Sequence, residues 1–209
     1  MLGADVVKVE PPTGDPFRAI GAMFVSWNQG KRSVVLDLTT PEGQAELHEM
    51  AADADVVVEN FRPGVSARLG CDQETLRAIN PDLVFLSSPG YGVDDSMADR
   101  PAFDPLVQAL GGFMATQGGW PDAGPEPVFL SVPVHDVTTP TVGAFGVVLG
   151  RLHRLGATDP GDAENTAGGG QLVRTSLVQS TMVAQAAEYT RYEGRPAPAQ
   201  GGFDFAGSD

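Results

Sequence analysis

The sequence predicts an α/β fold in which a parallel sheet carries helices on its faces. Short runs rich in valine alternate along the chain with segments of helical periodicity, an order typical of parallel strands joined by crossover helices. One of these runs, Asp55–Glu59 (DVVVE), is almost entirely valine, as expected for a strand covered on both faces. Glycine and proline are frequent, at 26 and 17 residues, and they mark many of the turns between predicted elements.

The first predicted strand is Ala4–Glu10, which alternates apolar and polar residues and ends at two prolines. A polar link interrupted by glycine, Phe24–Ser33, leads to the second strand, Ser33–Leu38. Thr40 is expected to cap the helix that follows, with Pro41 at its first position. The buried face of this helix is predicted to contain Leu47, Met50, Ala51 and Ala54.

Further elements follow the valine-rich third strand. A short helix is predicted to end at Leu69, because Gly70 stops it. Asp72 is expected to cap the next helix, which ends before Pro81. Leu83–Ser88 is the fourth predicted strand, and the repeated strand–helix order predicts right-handed crossovers.

The second half of the chain is predicted to begin with a helix over Phe103–Met114. A buried strand, Val128–Val134, is followed by a helix with Thr139 as N-cap and Pro140 at its first position. Leu172–Tyr192 is predicted to be one long helix. A small-residue face, where another backbone could approach the helix after Pro140 closely, is formed by Gly143, Gly146 and Gly150.

A single acid, Asp136, lies where the predicted strand ends and the predicted helix begins. The carboxyl ends of strands are where open α/β sheets bind ligands. The helix dipole and free amides at such a place would stabilise an ionised carboxylate, which can then act as a nucleophile. The alternative is that Asp136 only caps the helix.

Composition excludes several classes of protein. The chain of 209 residues carries a net charge of −14, which disfavours nucleic-acid binding by phosphate neutralisation. Its one cysteine, Cys71, excludes an intrachain disulfide and a cysteine metal cluster, and fits a reducing cytoplasm. We expect no membrane association, because no segment is long and apolar enough to span a bilayer, and the N-terminus does not resemble a signal peptide.

The histidines do not predict a metal site. His48, His135 and His153 lack the spacing of metal ligands, and as neighbours on a strand His135 and Asp136 would point to opposite faces. No G-x-S-x-G motif supports a serine triad. The few basic residues are more informative, because clustering near strand ends favours phosphate binding over scattered surface charge. The clustered residues are Lys31, Arg32, Arg62 and Arg68.

A series of sequence blocks carries a resemblance to a known family. The blocks are GADVVKVEPP (Gly3–Pro12), NQGKRSVVLDLTTPEG (Asn28–Gly43), ADVVVENFRPG (Ala54–Gly64), LGCDQETLRAINPDLV (Leu69–Val84), SSPGYG (Ser87–Gly92), RPAFDPLVQALGG (Arg100–Gly112) and VPVHDVTTPTVGAFGVVLGRL (Val132–Leu152). In this order they resemble class III CoA-transferases, the carnitine, formyl and bile-acid CoA-transferase type.

The resemblance implies a Rossmann-like large domain, an interlocked homodimer, and CoA as a substrate with no metal. The family's catalytic aspartate falls on Asp136. There it would attack an acyl-CoA thioester, pass through a mixed anhydride and an aspartyl-CoA thioester, and deliver CoA to a small carboxylic acid. Asp104 falls at a position where relatives carry an acid that assists catalysis, and Pro101 near the pantetheine. By the same match, CoA contacts fall on Leu36, Thr39, Asn60, Phe61, Arg62 and Arg68.

Departures from the family pattern predict an incomplete large domain. Family chains begin with a further strand and helix and continue through a small domain, so we expect truncation at both ends. Thr39 stands where lysine is frequent. We expect a partial large domain over residues 1–155, a polar glycine-rich loop over 156–171, and a helix and the start of a linker over 172–209.

Two other functions compete with CoA transfer. A related α-methylacyl-CoA racemase would need a histidine before the acid Asp104, but Phe103 stands there. A non-catalytic piece that serves only for binding or dimerisation is the other alternative, because a large deletion would leave sheet edges and apolar faces uncovered.

Overall fold

The computed structural model describes residues 3–93, 96–118, 126–156 and 169–196. Its strands are β1 (Val7–Glu10), β2 (Arg32–Val35), β3 (Val56–Glu59), β4 (Val84–Ser87) and β5 (Leu172–Arg174). A 3₁₀ helix spans Pro16–Ile20. The α-helices are α1 (Ala22–Asn28), α2 (Pro41–Ala52), α3 (Val65–Arg68), α4 (Gln73–Ile79), α5 (Asp104–Leu110), α6 (Phe113–Gln117), α7 (Val134–Arg154), α8 (Leu177–Ala184) and α9 (Ala186–Tyr189).

The chain divides into two compact units. The first comprises Met1–Asp55 and Ser66–Leu83, and the second comprises Val56–Val65 and Val84–Asp209. All strand pairs in the described chain are parallel, so the predicted α/β class is confirmed. The strands form two sheets, β1–β2 and β3–β4–β5.

The first unit joins the β1–β2 pair to helices whose ends are capped as predicted. Thr40 Oγ1 accepts the Gly43 N–H at 3.1 Å, and Asp72 Oδ1 accepts the Thr75 N–H at 3.0 Å. At the end of β1, Glu10 is 2% exposed and its carboxylate accepts both Nε and Nη2 of Arg18 at 2.8 Å. These hydrogen bonds from Arg18 are the main reason why the pKa of Glu10 falls to about 2.

The second unit packs α7 against the β3–β4–β5 sheet through glycines. A methyl group on Gly143 would lie 2.9 Å from Leu86 Cδ2, and one on Gly146 would lie 2.7 Å from Val173 Cγ1. Farther along α7, a methyl group on Gly150 would lie 3.1 Å from Val84 Cγ1. The predicted small-residue face therefore lets strand side chains come close to the helix. The large apolar side chains of α7 are exposed instead, among them Val137, Phe145, Val148, Leu149 and Leu152.

The predicted strand Val128–Val134 is wrong. Helix α7 begins at Val134, and Asp136 lies in its first turn. The segment before the helix makes its hydrogen bonds to helices instead, because Val128 N–H donates to the Met114 carbonyl at 2.9 Å and Leu130 binds a side chain on α5. Periodicity alone does not distinguish such an apolar run from a strand.

The predicted N-cap of α7 is also wrong. Thr139 is buried inside the helix, and Pro140 lies within it rather than at its first position. Pro133 occupies the N-cap position and makes no side-chain hydrogen bond there. Since Pro140 has no N–H, it cannot donate the usual intrahelical bond to the carbonyl of Asp136.

Other boundaries also differ from prediction. The predicted link Phe24–Ser33 contains most of helix α1 and part of β2, and the predicted helix Phe103–Met114 divides into α5 and α6 where Gly112 has a φ of +76°. The predicted helix Leu172–Tyr192 is β5, α8 and α9 instead, because its first residues pair with β4 and Ser176 caps α8.

The burial of β3 also differs from prediction. Val58 is 62% exposed, so β3 is not covered on both faces. Residues 157–168 of the predicted glycine-rich loop and residues 197–209 of the predicted linker lie outside the described chain.

Candidate functional site

Asp136 and Asp104 lie together at the N-terminus of α7. Asp104 Oδ2 accepts the N–H of His135 at 2.7 Å and the N–H of Asp136 at 3.2 Å. Asp104 is the first residue of α5 and is only 4% exposed. A carboxylate from another helix thus takes the role of an N-cap side chain, which Pro133 cannot supply.

Gln108, one turn along α5, holds the Asp104 carboxylate. Its Nε2 donates to Asp104 Oδ1 and to the Leu130 carbonyl, the latter at 3.0 Å. Its Oε1 accepts the Leu130 N–H at 3.1 Å. The Gln108 side chain is fully buried, and it connects α5 to the segment that leads into α7.

Asp136 is half-buried, and the pKa of its carboxyl group is raised. Burial, which penalises the charged form, is the main cause, and the nearby charge of Asp104 adds to it. The amides of the first turn do not offset this effect: Asp104 takes two of them, and the Val137 N–H donates to the Pro133 carbonyl at 3.1 Å. The expectation that free amides would stabilise the ionised acid is therefore wrong.

His135 is fully buried behind Asp136. Ser180 Oγ donates to the Leu177 carbonyl at 2.6 Å, so His135 Nδ1, at 3.1 Å from the same oxygen, is assigned as the donor to Ser180. His135 Nε2 then has no hydrogen-bond partner. The Phe113 ring packs edge-on against the imidazole, with 5.6 Å between the two ring centroids. Burial lowers the pKa of His135. The imidazole is therefore neutral and anchors α7 to α8.

The site lies beyond the carboxyl ends of β4 and β5. Along α7, a methyl group on Gly143 would meet Leu86 and Thr175 near those ends, whereas one on Gly150 would meet Val84 and Gln171 near the amino ends. Because α7 therefore runs antiparallel to both strands, its first turn projects past their carboxyl ends, where ligands bind in open α/β sheets.

Three of the predicted CoA contacts follow β3 in the same unit. Asn60, Phe61 and Arg62 are all exposed. Arg62 Nη1 donates to the Asp99 carbonyl at 3.1 Å, which connects this loop to the segment that enters α5. In that segment, the Pro101 carbonyl accepts a hydrogen bond from Tyr91 Oη at 3.4 Å. The hydrogen bond from Arg62 therefore links the loop after β3 to the segment that leads to Asp104, within the second unit.

The remaining predicted CoA contacts belong to the first unit. Leu36 is 5% exposed, and its N–H donates to the Glu10 carbonyl at 3.0 Å. Thr39 is exposed and its Oγ1 donates to Asp37 Oδ1 at 2.6 Å, while Arg68 is exposed at the end of α3.

Comparison with known proteins identifies the family. The model of CoA-transferase family III matches residues 1–206. The chain belongs to CoA-transferase family III. A succinate–glutarate CoA-transferase of Agrobacterium fabrum is 35% identical, over 93% of this chain and 50% of the relative. A succinyl-CoA:mesaconate CoA-transferase of Haloarcula hispanica is 38% identical, over 86% of this chain and 46% of the relative.

Solved structures agree with the family assignment. A crystal structure of a CAIB/BAIF family protein from Brucella suis superposes with a TM-score of 0.80 at 32% identity, over 96% of this chain and 53% of that one. A crystal structure of Rv3272 from Mycobacterium tuberculosis gives a TM-score of 0.77 at 32% identity, over 90% and 49%. This family III chain therefore spans about half the length of the relatives it matches.

Three further residues beside the two acids, Gln108, His135 and Ser180, were not predicted from the sequence to belong to this site. Gln108 lies four positions after Asp104 on a predicted helix, a spacing at which side chains meet, so that signal was present. The His135–Ser180 contact joins positions 45 residues apart, and no local pattern predicts it.

Within the described ranges no helix could span a membrane, and no group of three metal-ligating side chains occurs.

Proposed function

We propose that this chain takes part in moving CoA from an acyl-CoA to a small carboxylic acid, with Asp136 as the covalent nucleophile. The observation that carries the proposal is the position of Asp136, half-buried beyond the carboxyl ends of β4 and β5, with its backbone N–H bound by Asp104. Family membership and the relatives' names as CoA-transferases support the reaction class.

The first half of the reaction loads CoA onto the enzyme. The ionised carboxylate of Asp136 attacks the thioester carbonyl, the C–S bond breaks, and CoA leaves as a thiolate. The acyl group now forms a mixed anhydride with Asp136. The thiolate then attacks the aspartyl carbonyl of this anhydride, which expels the donor acid as a carboxylate and leaves an aspartyl-CoA thioester.

The second half repeats these steps in reverse with a new acid. The acceptor carboxylate attacks the aspartyl thioester, and CoA thiolate leaves again. The thiolate attacks the acceptor carbonyl of the resulting anhydride, which gives the new acyl-CoA and regenerates the Asp136 carboxylate. No net proton transfer occurs, and the thioester free energy is conserved through covalent intermediates, so this route requires neither ATP nor a metal.

The environment of Asp136 suits a nucleophile of this kind. A carboxylate with a raised pKa is a stronger base than a solvated one, and partial burial removes water that would compete in hydrolysis. Asp104 is the proposed assisting acid, and it acts by holding the first turn of α7 through the His135 and Asp136 amides. His135 is neutral and fully buried, so we assign it no proton transfer.

Exposed groups after β3 are the proposed cradle for CoA. Arg62 would face a phosphate and Phe61 would pack near the adenine, since both side chains are exposed and Arg62 already contacts the segment that enters α5. Pro101 would lie near the pantetheine. The other proposed contacts are Leu36, Thr39, Asn60 and Arg68.

An interlocked homodimer and a cytoplasmic location complete the proposal. The exposed apolar side chains on α7 and α8 support burial against other polypeptide, since Phe145 is 65% exposed and Val183 57% exposed. The single cysteine and the nature of the reaction favour the cytoplasm.

Trapping of the acylated enzyme tests the function. The chain is incubated with succinyl-CoA and hydroxylamine, and peptide mass spectrometry looks for a hydroxamate on Asp136. We expect the adduct in the natural chain and in Asp53→Asn, an exposed control, but not in Asp136→Asn. An adduct elsewhere, or none, would refute the proposal. Deuterium uptake at the α-carbon of an α-methylacyl-CoA without CoA transfer would favour the racemase alternative.

A further inference from the structure

The Gln108 carboxamide makes a set of hydrogen bonds that no other side chain can reproduce. Both hydrogens of Nε2 are used, one toward Asp104 Oδ1 and one toward the Leu130 carbonyl at 3.0 Å, while Oε1 accepts the Leu130 N–H at 3.1 Å. Flipping the amide would turn Oε1 toward the Asp104 carboxylate and lose all these bonds. The orientation is thus determined by its partners.

This arrangement divides the two oxygens of Asp104 between two tasks. Oδ1 accepts from Gln108, and Oδ2 is left to accept from His135 and Asp136 at 2.7 and 3.2 Å. Without the amide donor, the carboxylate could rotate about its side-chain bonds. The first turn of α7 would then lose its cap, because Pro133 offers no side-chain acceptor.

Gln108 also binds the segment that precedes α7, over residues 130–132. Leu130 is bound by both its N–H and its carbonyl, and Val132 O lies 3.5 Å from Nε2, at the limit of a hydrogen bond. The fully buried Gln108 side chain therefore binds both the segment that enters α7 and the carboxylate that caps this helix.

We infer that Gln108 is a positioning residue for Asp136: its carboxamide orients the Asp104 carboxylate and the Leu130–Val132 segment, and these two together set where the first turn of α7 presents its acid. The inference rests on the proposed function of Asp136 as nucleophile. It predicts that the donor hydrogen toward Asp104, and not merely the volume of the side chain, controls acylation of Asp136.

Two substitutions at this position separate hydrogen bonding from packing. Gln108→Met retains the approximate volume and removes every bond. Gln108→Glu retains the shape, and when protonated it donates to Asp104 while its other oxygen accepts from Leu130 N–H; when ionised it repels Asp104. The control is Gln179→Met on α8, an exposed side chain outside these contacts. The readout is the rate of hydroxamate formation on Asp136 with succinyl-CoA, from pH 5 to 8 in roughly half-unit steps.

We expect Gln108→Met to slow trapping by about 10- to 100-fold at every pH, the loss associated with a small misplacement of a reacting group. Gln108→Glu should be as slow at neutral pH, and its rate relative to the natural chain should rise as the pH falls. The charged and titratable groups near Gln108 and Asp136 are Asp104 and His135, and both are present in every variant. Gln108→Met adds no titratable group, so a pH dependence seen only in Gln108→Glu belongs to the introduced carboxyl group.

Each result has a definite meaning. If the rate of Gln108→Glu keeps the same ratio to that of the natural chain from pH 5 to 8, as is expected for Gln108→Met, the positioning role is overturned and packing is left as the explanation. If Gln108→Met does not fold by circular dichroism, the pH profile of Gln108→Glu decides alone. If the natural chain forms no adduct on Asp136, the proposed function fails and the inference fails with it. Adduct formation at equal rates in all four chains overturns only the inference.

Discussion

The carboxylate of Asp104 binds the backbone N–H of Asp136 at 3.2 Å, from a different helix and across 32 positions of sequence. One acid thus caps the helix that carries the other. The arrangement fixes the backbone of Asp136 and places a second negative charge near its carboxyl group. The pKa of Asp136 is consequently raised by burial first and by Asp104 second.

Replacing Asp104 separates its charge from its role as a cap. In Asp104→Asn one amide oxygen can still accept from the first turn of α7, but the negative charge is gone. The pKa of Asp136 should fall, so the acid limb of the trapping rate should move to lower pH, because less acidity is needed to keep the nucleophile ionised. The weakened cap should cost about 1 kcal/mol of stability, measured by urea unfolding.

Asp99→Asn is the matched control for Asp104→Asn. Asp99 is exposed, and it contacts Arg62 through its carbonyl, which the substitution leaves intact. An acid limb that stays in place in Asp104→Asn would contradict the electrostatic coupling of the two acids.

His135 should make the fold sensitive to mild acid. Its pKa is lowered in the folded chain, so below about pH 6.5, the ordinary value for histidine, the unfolded chain binds more protons and stability falls as the pH falls. His135→Phe should reduce this slope by up to about 1.4 kcal/mol per pH unit between the unfolded and folded pKa values. Urea unfolding at a series of pH values measures the slope. Equal slopes in the two chains would show that His135 does not titrate on unfolding.

Gly146 tests how closely α7 packs on the sheet. A methyl group there would lie 2.7 Å from Val173 Cγ1, and the branched valine side chain cannot move aside easily. The gain of about 1 kcal/mol in helix propensity should be outweighed by overpacking, so Gly146→Ala should destabilise the chain by about 1–2 kcal/mol in urea unfolding. Gly150→Ala, whose methyl group would lie 3.1 Å from Val84 Cγ1, should be nearly neutral. A Gly146→Ala chain as stable as the natural one would argue against tight contact.

Arg62 tests the proposed cradle for CoA. Removal of its guanidinium in Arg62→Ala should weaken CoA binding by about tenfold at low salt, and by less at high salt, because exposed charges are screened. Isothermal titration calorimetry at two salt concentrations measures this. Arg191→Ala is the control, since Arg191 is exposed and donates to the Glu188 carbonyl at 2.6 Å. Unchanged affinity in Arg62→Ala would remove this residue from the proposed CoA site.

Local signals predicted the two helix caps of the first unit correctly. The caps at Thr40 and Asp72 depend on side chains that bind amides within three residues, so the local sequence is sufficient to predict them. The strand and helix boundaries around them differ from prediction by only a few residues. The segment Val128–Val134 was predicted wrongly, because Gln108, more than 20 positions earlier, binds Leu130 and takes the place of a neighbouring strand.

By itself the sequence determined the α/β class and the resemblance to the family, and through that resemblance it marked Asp104 and Asp136. These depend on residue types and spacings that are present along the chain. Only the tertiary structure decided that Asp136 lies inside the first turn of a helix whose cap is Asp104, and that Gln108 orients that cap. The physical reason is that a helix N-terminus needs an acceptor for its free amides, and where the local residue is proline, the acceptor must come from a part of the chain that folding brings near.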